Sequence, residues 1–76
     1  MHPDLLLHHL DRAERHIVSG REKVTDQIVF IAWLNWLRKD ATDAEALLRE
    51  FERGLAADIT DRERLRAQLA YVDSAA

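Results

Sequence analysis

Four histidines, His2, His8, His9 and His16, are the side chains in this sequence with the most to offer a metal ion or a proton transfer. Asp4, His8 and Asp11 follow one another at steps of three and four residues and can share a helix face. His9 and His16, however, lie about 10 Å apart along a helix axis. No two histidines stand four residues apart, the spacing that sets a pair of imidazoles on one zinc ion. Chelation through His2, His8 and His9 is adventitious on this reading, and no metal site is expected. Ser19 has His16 three residues before it, but no acidic residue is placed to orient that imidazole and no oxyanion donors are evident. Carboxylates interleaved with arginines, as in Glu45–Arg49 and Glu50–Arg53, read as solvent-facing ion pairs of a helix. There is no glycine-rich phosphate loop. Neither an enzymatic activity nor a cofactor is expected, and no small-molecule substrate.

The elements that must position these residues are few. The chain has 76 residues, and a domain of that size buries only about 60% of the surface its unfolded form exposes. It has no cysteine, so neither disulfides nor thiolate metal sites support it, and a reducing compartment is permitted. Small chains without such supports rely on regular helix packing or on oligomerisation. Net charge is −3, from 11 Lys+Arg against 14 Asp+Glu, with the signs mixed throughout, so no basic stripe points to nucleic acid. The start of the chain is not basic, and Leu5-Leu6-Leu7 is too short for a signal-peptide core. The longest apolar run, Ile28 to Leu34, falls far short of the roughly 20 residues of a membrane span. A cytoplasmic protein with no membrane partner is the expectation.

Two helical patterns flank one break. The first runs from about Asp4 to Arg38, opened by Pro3 or Asp4. Its apolar stripe is Leu6, Leu10, Ala13, Ile17, Val24, Ile28, Ile31 and Leu34. The break is Lys39 to Thr42, where Thr42 and Glu45 fit a capping box. The second helix runs from about Asp43 to Val72, with a stripe of Ala44, Leu47, Leu48, Phe51, Leu55, Leu65, Leu69 and Val72. So short a loop makes the helices antiparallel neighbours. Pairing outward from it sets Leu34 near Leu48, Ile31 near Phe51, Ile17 near Leu65 and Ala13 near Leu69. Asp58 and Arg62 fall within the second stripe, facing Gly20, which makes room for Arg62. Ser19 to Glu22 and Thr60 to Glu63 also fit capping boxes, so breaks at both points are the alternative to continuous helices. The predicted fold is all-α, an antiparallel two-helix hairpin with a coiled-coil-like seam over a single domain.

The feature that carries function is local. At 100° per residue, Val29, Trp33 and Trp36 point away from the seam, with Phe30 and Leu37 on the flank of that outer face. Further toward the N-terminus the same face carries Arg12, Arg15, Ser19, Glu22 and Asp26. One partner helix covers only one side, so Val29, Phe30, Trp33, Trp36 and Leu37 are the predicted protein-interaction residues. Together they amount to a patch of roughly 600–800 Å², against about 300–600 Å² for the largest patch of a typical monomer. Two occupants serve equally. A second hairpin makes a homodimer with a four-helix bundle, or the i, i+4, i+7 anchors enter a groove on a separate protein. The alternative is a compact bundle of purely structural role with both tryptophans in its own core.

The segments Ala13-Glu14-Arg15-His16-Ile17, Gly20, Val24, Gln27 and Ile31-Ala32, then Asp40, Leu47-Leu48, Phe51, Leu55, Ile59 and Asp61-Arg62, resemble a loose group of short, uncharacterised bacterial helical proteins. The resemblance spans about residues 10–70. It implies the hairpin and no activity. Members of that group usually carry Arg and Glu where this chain has Val29, Trp33 and Trp36. Two origins account for the difference: redesign of a natural hairpin as a binding module, or a natural lineage with its own dimer face.

Overall fold

The computed structural model describes residues 2–75. It contains two helices, α1 (Pro3–Trp36) and α2 (Thr42–Ala75), joined by a loop over residues 37–41. They lie antiparallel as a rod of 60 × 14 × 14 Å. Both run without interruption past the two points where breaks were the alternative. Gly20 is helical, and the Thr60 hydroxyl donates to the carbonyl of Ala56 at 3.0 Å inside the helix instead of capping a new one.

The seam is more regular than apolarity alone indicates. On α1 it is Leu6, Leu10, Ala13, Ile17, Gly20, Val24, Gln27, Ile31 and Leu34, an unbroken alternation of four- and three-residue steps, every position buried or half-buried. On α2 it is Ala44, Leu48, Phe51, Leu55, Asp58, Arg62, Leu65, Leu69 and Val72, stepped in the same way. That period of 3.5 is the one that keeps two supercoiling helices in contact along their length. Ile28 and Leu47, expected in the stripes, are instead 51% and 39% exposed. Gln27 takes the seam position in place of Ile28, its side-chain amide donating to the carbonyl of Ala44 at 2.9 Å. Among the described residues, fully buried large side chains are confined to Leu6 and Ile17.

Register differs from the expected pairing by one to two turns. Gly20 lies against Leu55, whose Cδ1 is 3.2 Å from where a Cβ on Gly20 would stand, about two turns short of Arg62. Lys23, not Ile31, meets Phe51, its ammonium 5.9 Å from the ring centroid. Ala13 shares a groove wall with Leu65 instead of facing Leu69. The polar step in the seam is present, with Arg62 shared between Glu63 on its own helix, to which its Nε donates at 3.0 Å, and Glu14 on α1. Arg62 Nη1 is 3.6 Å from Glu14, and Arg66 Nη2 donates to the same carboxylate at 2.9 Å. The expected pairs Glu45–Arg49 and Glu50–Arg53 do not form among the described residues. Ion pairs within one helix, among the described residues, are Asp11–Arg15, Asp61–Arg64, Arg62–Glu63 and Glu63–Arg66.

The loop explains the shift. α1 ends at Trp36, two residues before the expected end, in a Schellman cap: Lys39 N–H donates to Leu34 C=O at 2.9 Å and Arg38 N–H to Asn35 C=O at 3.0 Å. Arg38 is left-handed with φ 58°, a position that favours glycine, so no sequence signal marks this terminus. At the other side of the loop the Thr42–Glu45 capping box is replaced. Thr42 is already helical, and Asp40 accepts from its N–H at 2.9 Å and its hydroxyl at 2.6 Å. At the opposite end His2 caps α1, Nδ1 accepting from Asp4 N–H at 3.2 Å with Pro3 in the first turn.

Two consequences follow for stability. Arg38→Gly relieves the left-handed strain and should raise the unfolding free energy in urea by about 0.5–1 kcal/mol. A loss would show that the Arg38 side chain offsets the strain through contacts of its own. The Thr42 hydroxyl, then its N–H, hold the Asp40 carboxyl below the usual carboxylate range. A depressed folded-state pKa stabilises above the unfolded pKa and is lost as pH falls through the folded one. Asp40→Ala should therefore lower the melting temperature at neutral pH, and the deficit should close in acid below the ordinary carboxylate range. An equal deficit at both pH values would mean that the carboxylate charge plays no part.

Candidate functional site

The polar candidates are spread out by the rod. His8 and His9 have ring centroids 5.7 Å apart. His9 and His16 line one wall of an open groove of about 400 Å³, with Asp58 and Asp61 across from them on α2. Asp61 is engaged by Arg64 at 3.5 Å. Among the described residues no three His, Asp or Glu side chains converge as metal ligands would. Asp58 also shares a groove wall with His16 and Ser19, an acidic neighbour that sequence spacing could not place. No hydrogen bond joins the three. Ser19 and His16 sit in mid-helix, where backbone N–H groups are committed to the helix and cannot serve an oxyanion. Acyl-transfer chemistry has no geometry to work with at this place.

The outer face of α1 is different in kind. Val29 is 63% exposed, Phe30 44%, Trp33 52% and Trp36 78%. The reading that placed both tryptophans in the chain's own core is thereby corrected: α2 contacts only the opposite side of α1. Phe30 and Trp33 stack with ring centroids 6.1 Å apart and planes inclined at 30°, making one continuous aromatic surface. Thr25, Ile28 and Ala32 on the same helix are also exposed. Leu37 departs from the set. It is the C-cap residue, outside the helix and half-buried, because α1 ends one residue before it.

Charge brackets this surface. Glu22 and Asp26 precede it on the outer side of α1, and Arg38 and Lys39 follow it in the loop, all four exposed. The ion pairs among the described residues lie toward the open end of the hairpin, between His2 and Arg15 on α1 and between Asp61 and Arg66 on α2. None involves the four charges around the aromatic face. No described helix is long and apolar enough to cross a membrane.

No family of proteins, no curated protein and no solved structure matches the chain.

The geometry fixes an order of accessibility at the concentration where the chain is monomeric. Iodide should quench Trp36, in a Trp33→Phe variant, more strongly than Trp33 in a Trp36→Phe variant. Equal and weak quenching of both would place the rings under cover.

Proposed function

We propose that this chain is a protein-interaction module, working through the aromatic outer face of α1 and carrying no chemistry of its own. The observation that supports it most directly is the exposure of Trp33 and Trp36 on a continuous helix, with no described residue covering them. Tryptophan in such a setting is among the residues most enriched at binding hot spots. Total area supports the same reading. The chain exposes 5756 Å², about 1,000 Å² more than a compact monomer of 8.8 kDa. That excess is comparable to the roughly 800 Å² each partner contributes to a standard interface. The sparse core adds a motive, because burial of this face would supply apolar contact that the seam, with Gly20, Gln27, Asp58 and Arg62 among its positions, does not.

Self-association and capture of a separate protein both use the face. The residues proposed to carry binding are Val29, Phe30, Trp33 and Trp36, with Leu37 supporting the turn beneath them. Molar mass by light scattering over a concentration series, with tryptophan emission on the same samples, tests the proposal. A dimer with blue-shifted emission, or a monomer with red, quenchable emission, each leaves the face as an interface. A monomer with blue-shifted, unquenched tryptophans overturns it. Where association is observed, Trp33→Ala or Trp36→Ala should weaken it by more than about 2 kcal/mol with the helical circular dichroism retained. Loss of the helical signal would mean that these rings hold the fold together instead.

A further inference from the structure

We infer that the occupant of this face is a second copy of the chain, laid antiparallel across it and overlapping only at the loop ends. The inference rests on the reading of the face as an interface, and adds to it the partner, the direction and the register.

The carrying observation is a second ladder on α1. Starting at Glu22, exposed residues recur at three- and four-residue steps through Thr25, Val29, Ala32 and Trp36. This is the spacing of the inner seam, set on the side of the helix facing away from α2, and it is what a further helix needs in order to interlock along its length. The ladder is symmetric about the midpoint between Val29 and Ala32. Turning one copy end for end about that point sets each Trp36 beside Thr25 of the other copy and each Val29 beside Ala32. Large side chains meet small ones throughout, while the stacked Phe30 and Trp33 cover a flank.

Charge selects the same direction. The rotation that brings Trp36 to Thr25 also carries the loop that follows α1, with exposed Arg38 and Lys39, toward the Glu22 turn of the other copy, so the acidic start of each face meets the basic loop of the other. Asp40, the nearest acid in the loop, is already held by Thr42. A parallel pair would instead oppose Glu22 to Glu22, Asp26 to Asp26 and Lys39 to Lys39. It would also continue the contact along Val18, Arg15, Asp11 and His8, bringing like charges together and burying an existing Asp11–Arg15 pair. The exposed Val29 and Trp36, with Trp33 beside them, supply from each copy apolar area toward the roughly 1,200 Å² or more that a stable, specific interface buries. The local product is a short four-helix bundle made from the two loop ends, with the open ends projecting in opposite directions. Each rod is 60 Å long; with about 25 Å shared, at 1.5 Å per residue, the pair extends to about 90–100 Å.

Because the chain has no cysteine, single cysteines report the arrangement directly. Glu22→Cys and Lys39→Cys chains, each otherwise unaltered, are mixed and oxidised, and the disulfide-linked species are identified by mass. The expected result is that the Glu22→Cys chain links to the Lys39→Cys chain in preference to either linking with itself, with a dimer by light scattering and a longest dimension of about 90–100 Å by small-angle X-ray scattering. Glu22→Lys or Lys39→Glu should each weaken dimerisation about tenfold, since each replaces two attractions by two repulsions, and the double variant should recover it. Preferential self-linking of the Glu22→Cys chain overturns the antiparallel order and leaves the face as an interface. A monomer with quenchable tryptophans at every concentration overturns the second copy while leaving a separate protein as the occupant. A monomer with shielded tryptophans overturns both readings.

Discussion

A helix can be apolar on one side and rest on one neighbour; a helix that is apolar on two sides needs two neighbours. In this chain α1 has one neighbour along its whole length, and toward the loop it has two apolar sides. The tension is resolved differently at the two ends. At the open end the outer side of α1 is charged, Asp11 pairing with Arg15 on its own helix, and Glu14 beside it engages Arg62 and Arg66 on α2. At the loop end the outer side is Val29, Trp33 and Trp36, and it stays in solvent. One rod therefore has a finished end and an unfinished one.

The seam shows how little of a coiled coil needs to be apolar for its geometry to hold. Gly20 allows Leu55 to approach closely, Gln27 ties the helices through the Ala44 carbonyl, and Arg62 reaches Glu14 from a half-buried position. Each occupies a rung of the same ladder as Ile17 or Leu65. Polar rungs of this sort restrict register at some cost in stability, because sliding the helices would leave them opposite groups that cannot answer them.

Much of this was legible in the sequence, and the failures have physical causes. The two helices, their antiparallel packing and the outward direction of Val29, Trp33 and Trp36 follow from spacing, which a 3.6-residue helix converts directly into direction. The register does not. Moving one helix by a heptad preserves the facing of every side chain, so matching apolar stripes is blind to such a shift. Ile28 and Leu47 were misassigned because apolarity favoured them over Gln27 and over strict alternation of steps. The loop was displaced because Arg38 occupies the left-handed position without being glycine, and because Asp40 supplies the cap that Thr42 seemed placed to give.

The uneven seam also has a kinetic side. Contacts beside the loop, such as Gln27 with Ala44, close few residues of chain, whereas Glu14 with Arg66 closes most of it. Chain-closure entropy rises with the length enclosed, so the loop end is the cheap place to begin and the open end the costly one. Yet the fully buried Leu6 and Ile17 lie toward the open end, and beside the loop burial is limited to Ala41 and Ala44. Folding from the loop outward must therefore climb through its weakest contacts before reaching its strongest. In a hairpin built this way, contacts added beside the loop would speed folding more than contacts added at the open end, because they strengthen the place where zipping starts.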